Sequence, residues 1–209
     1  KYTGNLPKGM LKFNNTSLIE YQLETLRSLG IEDISIVTGY KSEKINYQDV
    51  KYYHNKNFDT TNMVESLFCA EEELNGNVIV CYADIIYQKS LLNSLITQSG
   101  DVVVAVDSNW KDYWKLRYGK IDFDLESLTV TEGAISSLGN ENTSVDDIDA
   151  RYVGLIKFSN EGIKRVKDIY HTNREKYWDK PWQISGKTFQ NAYMTDVLNE
   201  MIKQGEKEA

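Results

Sequence analysis

Cysteine, histidine and proline are scarce in this chain, with two of each among 209 residues. Cys69 falls in an expected helix and Cys81 in an apolar run, so a disulfide scaffold is excluded. Both read as reduced core residues of an intracellular protein. His54 and His171 are far apart, with no metal-ligand spacing and no nucleophilic Ser or Cys pattern around them, and read as structural or surface residues. No apolar stretch approaches 18 residues, so no membrane-spanning helix is expected. The chain also lacks a basic surplus. A formal charge of −7 and a pI near 5.0 argue against nucleic acid or an anionic membrane as partner. They leave nucleotides open, since a local pocket binds phosphate whatever the net charge. There is no internal repeat and no low-complexity tract. A cytoplasmic globular enzyme or binding module remains.

What the chain does have is a buried-strand signal ending in a carboxylate. Val78 to Cys81 are apolar on both faces of any strand, and the run continues to Asp84. In open α/β sheets, ligands bind beyond the carboxyl ends of such strands. A carboxylate there, among Tyr82, Ile85, Ile86 and Tyr87, calls for a partner, and a bound cation is one. The plainer reading is a turn cap or a pair with a distant lysine.

Along the chain, a loop over 1–9 precedes a short apolar piece, Met10 to Phe13, and a turn at Asn14-Asn15. Ser17 and Glu20 form a capping box, and Ile19, Leu23, Leu26 and Leu29 continue at helical spacing up to Gly30. Strands are expected at 34–38, 51–54, 77–83 and 101–106. Helices are expected from Asn62 through Leu74, opened by a second capping box with Glu65, and at 91–97. This alternation over 10–107 predicts a parallel α/β sheet. Beyond 107 come an aromatic and acidic stretch to 127, a hairpin around Gly133, a polar loop over 139–150, a strand at 152–158, and helices near 160–176 and 188–203.

The segments Leu6 to Leu11, Ser17 to Gly30, Ile36 to Tyr40, Thr61 to Leu67, Tyr82 to Asp84, Val104 to Asp107 and Tyr152 to Leu155 together resemble the nucleotidyltransferase superfamily, with its GT-A-like α/β fold. The branch they resemble is that of the phosphocholine cytidylyltransferases, close to the sugar-1-phosphate nucleotidylyltransferases. The resemblance implies a three-layer α/β/α sandwich with a mostly parallel, mixed sheet. A Rossmann-like nucleotide-binding half would span 1–107 and a smaller acceptor-binding half 108–209. It implies transfer of a nucleoside monophosphate, CMP from CTP, to a phosphorylated small molecule such as phosphocholine or an aminoalkyl phosphonate. The alternatives are a sugar-1-phosphate acceptor, or a non-catalytic nucleotide- or metabolite-binding module of the same fold.

Residue by residue, the resemblance implies that Lys8 contacts the phosphates and acts catalytically. Asp84 would hold Mg²⁺, and Asn62, Ser66 and Tyr82 would contact the nucleotide. Asn62 can also be a plain helix cap, with Thr61 as the competing cap. For the acceptor, Trp110, Trp114, Asp107 and Glu126 suggest an aromatic and acidic cage for a cation, with Arg117 on its phosphate. The opposing reading is packing or homodimer aromatics with solvated acids. Gly154 either lets a ligand approach or packs tightly. The family starts with an apolar strand and a Gly-rich phosphate loop and ends with a second metal-binding Asp. Neither lies within this sequence, so it looks trimmed at both ends and a gap in the sheet is expected.

Overall fold

A computed structural model describes residues 4–205. Residues 1–3 of the expected opening loop and the tail 206–209 lie outside it. The chain runs β1 (Lys12–Phe13), β2 (Thr16–Ser17), α1 (Leu18–Arg27), β3 (Ser35–Thr38), β4 (Lys51–His54), α2 (Met63–Phe68), β5 (Val78–Cys81) and α3 (Lys89–Thr97). It continues through β6 (Val102–Asp107), α4 (Trp110–Tyr118), β7 (Leu128–Thr131), β8 (Ala134–Leu138), β9 (Arg151–Phe158), α5 (Asn160–Tyr177) and α6 (Met194–Lys203). Among these residues no helix is long and apolar enough to cross a membrane.

The helix starts follow local chemistry. Ser17 Oγ accepts from the Glu20 amide at 3.1 Å and opens α1. Asn62 Oδ1 accepts from the Met63 amide at 2.9 Å and opens α2. Ser159 Oγ accepts from the Gly162 amide at 3.1 Å and opens α5. Each bond satisfies an amide that the first turn leaves without a carbonyl. Three helices differ from expectation, one of them α6, which starts at Met194 after a 3-10 turn at Phe189–Asn191 where a helix from about 188 was expected. α2 ends at Phe68 and gives way to a 3-10 turn at Glu71–Glu73. The aromatic stretch after 107 forms α4, closed by Gly119 in the left-handed region. The i, i+4 spacing of Trp110 and Trp114 was the signal for it.

The fold is α/β with parallel and antiparallel pairing. β9 lies between β5 and β6 and runs antiparallel to both. β3 and β4 pair in parallel. The apolar run at 77–83 therefore does form a strand, but its ladder partner is antiparallel. Two-sided burial sets the composition of a strand and not the direction of its neighbour.

Alternation along β9 and β6 divides the interior in two. Ile156, Phe158, Val102 and Val104 face α2, α5, α6 and the β7–β8 hairpin. Leu155, Val103 and Ala105 face α1 and α3. This is the helix–sheet–helix layering expected for the fold. The halves on either side of residue 107 thus share one sheet, because β9 comes from the second half and its neighbours from the first.

β3 and β5 do not pair. Between them lies a cavity of about 1120 Å³, walled by Ile34, Ile36, Val78 and Val80 and covered by residues of α1 and α2. All four residues of β5 are consequently only half-buried.

Gly154 decides how β9 meets the end of β5. Its φ is +81°, and a Cβ there would fall 2.4 Å from the Tyr82 ring. The glycine serves tight packing. Gly154→Ala is expected to destabilise the fold by about 2–4 kcal/mol, combining left-handed strain with overpacking. An unchanged denaturant midpoint would refute this account of the contact.

Candidate active site

The segment Tyr82-Ala83-Asp84 leaves the carboxyl end of β5 and meets the loop before β1. In that loop Pro7 to Leu11 winds into a tight turn, with the Met10 amide on Pro7 O and the Leu11 amide on Lys8 O, both at 3.0 Å. Gly9 lets the turn approach. A Cβ there would lie 2.8 Å from Ile19 and 2.9 Å from the Ala83 carbonyl. Lys8 Nζ thereby reaches Asp84 Oδ2 at 3.6 Å, with the lysine 74% and the aspartate 39% exposed. An ion pair this exposed contributes little to stability, so its groups remain available to a ligand. Both line a cleft of about 450 Å³ with Leu6, Thr38 and Tyr40.

The sequence reading missed the side chain that holds this turn. Gln22, buried on α1, donates from Nε2 to the carbonyls of Tyr82 and Ile85, each at 2.8 Å. A polar residue on the core-facing stripe of an amphipathic helix was the available signal.

Asn62, Ser66 and Tyr82 line the larger cavity next to Asp84. Asn62 is itself the cap of α2. Thr61 instead donates to Asn57 O at 2.7 Å. Asn55, also buried, donates from Nδ2 to Thr61 Oγ1 at 3.0 Å and to Ser66 Oγ at 2.9 Å. Ser66 and Thr61 are thus tied together at the mouth of the cavity. Tyr82 donates to Met63 Sδ at 2.7 Å, and burial raises the pKa of its hydroxyl well above the phenol range.

The expected acceptor residues lie elsewhere. Trp110 and Trp114 are buried in a small core with Ile148, Tyr118 and Ile121. Trp114 Nε1 donates to Phe123 O at 2.7 Å. The cations on these rings are the protein's own: Arg151 lies 4.5 Å from the Trp114 centroid and 6.0 Å from that of Trp110, and Lys111 lies 5.7 Å from that of Trp110. The reading of the tryptophans as a cage open to a ligand is corrected accordingly: these faces are filled from within. Arg117 stacks on Tyr118 at 4.9 Å. Asp107 caps a turn through the Asn109 amide at 2.9 Å. Glu126 is half-buried beside Arg151, Tyr82 and Tyr152, and burial raises its pKa.

No nucleophilic cysteine or histidine site emerges. Burial pushes the Cys81 thiol up to about 11 and raises that of Cys69. His171 Nε2 pairs with Glu71 at 2.6 Å on the surface, and His54 Nδ1 meets Thr38 Oγ1 at 3.2 Å. Among the described residues no three His, Cys, Asp or Glu side chains gather as a metal cluster.

Residues 2–139 match the family described as the MobA-like NTP transferase domain. The chain is 32% identical over 213 residues to the CTP:phosphoglutamine cytidylyltransferase of Campylobacter jejuni, covering 97% of this chain and 82% of that protein. It is 31% identical over 137 residues to the choline-phosphate cytidylyltransferase of Streptococcus pneumoniae, covering 63% of this chain and 58% of that protein. In fold it is similar to the inositol-1-phosphate CTP transferase of T. maritima. The TM-score is 0.68 at 17% identity, covering 99% of this chain and 76% of that one.

Two outcomes are expected from these contacts. Gln22→Leu leaves two carbonyls without their donor, lowering stability by about 1–3 kcal/mol and turnover with it. Full activity in that variant would show that the 82–85 turn holds itself. Trp114→Ala should cost about 3–5 kcal/mol in an unfolding titration, as expected of a core aromatic. A variant as stable as the parent would return Trp114 to the ligand-facing role.

Proposed function

Because the chain belongs to the MobA-like NTP transferase domain family, we propose that it is a cytidylyltransferase, moving CMP from CTP onto a phosphorylated small molecule. The observation that carries this reading is the meeting of Lys8 and Asp84 beyond the end of β5. Elements distant in sequence bring one cation and one carboxylate to the mouth of a cleft. The names of the relatives in Campylobacter jejuni and Streptococcus pneumoniae support CTP as the donor.

The chemistry needs little from the protein beyond position and charge. A phosphate oxygen of the acceptor attacks the α-phosphorus in line. The new P–O bond forms as the bond to the β-phosphate oxygen breaks, and pyrophosphate leaves with that electron pair. An acceptor phosphate is already a nucleophile, so no general base is required. Lys8 neutralises charge as it shifts toward the leaving group. Gln22 holds the turn that carries Asp84. Asn62 and Ser66, at the edge of the larger cavity, are placed to meet the base.

Magnesium fits one part of this donor set. Asp84 offers a single half-exposed carboxylate, and no cluster of three protein ligands occurs among the described residues. That suits Mg²⁺ shared with nucleotide phosphates, where one or two carboxylates are enough, better than an ion caged by protein alone. When bound, Mg²⁺ supplies further neutralisation of the triphosphate.

The test is pyrophosphate release from CTP, UTP, GTP and ATP with phosphorylated acceptors. CTP should be the preferred donor. Asp84→Asn should lower turnover at least about a hundredfold with little change in stability, and Lys8→Ala should reduce kcat more than nucleotide affinity. Near wild-type turnover of Asp84→Asn at saturating Mg²⁺ would remove this residue from the site. Failure of every triphosphate to release pyrophosphate would overturn the reading.

A further inference from the structure

Asn55 is 4% exposed, and its side-chain amide is engaged on both sides. The residue follows β4. Its backbone amide donates to Thr38 O at 2.8 Å and adds one rung to the parallel pair of β3 and β4. Thr38 lines the cleft of Lys8 and Asp84, so Asn55 is anchored at the same end of the sheet. Its Oδ1 accepts the Asn57 amide at 2.9 Å. A backbone N–H can only donate, so this bond fixes which side-chain atom is the oxygen. The other atom is the NH₂ group, whose two protons go to Thr61 Oγ1 at 3.0 Å and Ser66 Oγ at 2.9 Å.

Each of those hydroxyls has one proton of its own to place. Thr61 gives its proton to Asn57 O at 2.7 Å. Ser66 accepts from Asn55 and, among the described residues, donates to no protein group. Ser66 lines the larger cavity next to Asp84, whereas Asn55 stands behind it and does not line that cavity. With a lone pair engaged from behind, Ser66 is left to donate into the cavity. Closing the turn does not by itself call for asparagine. The bond from the Asn57 amide to Oδ1 is an Asx turn, which aspartate makes as readily. What aspartate lacks is the NH₂ group, and both of its protons go to hydroxyls at the cavity mouth.

We infer that Asn55 is a positioning residue that makes Ser66 a hydrogen-bond donor to the ring nitrogen N3 of cytosine. This rests on the cytidylyltransferase reading and names the contact that separates CTP from UTP. The two bases differ at two atoms. N3 accepts in cytosine and carries a proton in uracil. The substituent at C4 is an amino donor in cytosine and a carbonyl acceptor in uracil. A protein donor facing N3 favours cytosine, and one facing the C4 substituent favours uracil. With CTP as the nucleotide, the Ser66 proton belongs at N3. Uracil would set its own N–H against that proton and leave both unpaired.

The test compares CTP with UTP on the full-length protein, by calorimetry without acceptor and by kcat/KM with it. The parent should favour CTP by at least about tenfold. Asn55→Asp keeps the Asx turn but puts an acceptor behind Ser66. The Ser66 proton then turns back to the aspartate, and the CTP-over-UTP ratio should fall at least about tenfold. Ser66→Ala should lower the ratio as well, and adding Asn55→Asp to it should lower the ratio no further. An asparagine that only closed the turn would affect both nucleotides alike. An unchanged ratio in Asn55→Asp would therefore overturn the inference, as would a ratio that falls as far again in the Ser66→Ala background. Should Asn55→Asp fail to fold, Asn55→Ala frees the hydroxyl to rotate and should lower the ratio about three- to fivefold; no change there overturns the inference too. Pyrophosphate release from CTP with a ratio insensitive to Asn55 leaves the reaction standing and removes this role. CTP-selective binding that Asn55→Asp abolishes, with no pyrophosphate from any triphosphate, supports the role and removes the reaction. Binding of neither nucleotide to the parent overturns the inference.

Discussion

β9 is the constraint on which the rest depends. It enters between β5 and β6, antiparallel to each, and no other strand pairs with either of them among the described residues. Its alternating side chains feed two cores: Leu155 goes toward α1 and α3, Ile156 and Phe158 toward α5 and α6. The strand also ties the end of β5 to the 124–126 loop. At its start, Arg151 and Tyr152 stand beside Glu126. Two residues on, Gly154 O accepts the Tyr82 amide at 2.8 Å. A shift of β9 by one residue would exchange the two cores and separate Tyr82 from Tyr152, whose rings meet edge to face at 5.7 Å.

The candidate active site sits where little secondary structure holds the chain, so side chains have taken over that work. Gln22 reaches from α1 to two carbonyls of the turn carrying Asp84. Asn55 links Thr61 to Ser66 across the mouth of the larger cavity. These amides are buried and fully used, unlike Lys8 and Asp84, which remain exposed. Buried, hydrogen-bonded amides behind exposed charges are a division that suits phosphate chemistry. The charges must exchange partners when a triphosphate arrives, whereas the backbone beneath them must not move.

The aromatic stretch after β6 shows how the same residues can suggest a site and build a scaffold. Trp110, Trp114 and Tyr118 recur on one face of α4 and close a small core against Ile148. Asp112, the acid between them, stays outside. Arg151 lies over Trp114 and bonds to two carbonyls of the 124–126 loop. Its burial fixes that loop and, through it, Glu126. The tryptophans therefore act as packing residues that hold this loop.

The sequence by itself determined the local signals. The N-caps Ser17 and Asn62, the helical stripe of α1, the apolar run of β5 and the hairpin around Gly133 were legible, because each depends on neighbours within a few residues, although Asn62 bonds the Met63 amide and Glu65 turns to Arg174, so the expected capping box there does not form. Asp84 stood out as the carboxylate ending an apolar run, whereas Lys8 was legible only through the resemblance, since nothing local distinguishes a functional loop lysine from a solvated one. Tertiary structure alone decided the rest. The direction of β9, the cavity between β3 and β5, the closed face of the tryptophans and the role of Gln22 all join residues distant in the chain. Periodicity reports which side of an element is buried; which distant side chain covers that side is settled only when the layers pack.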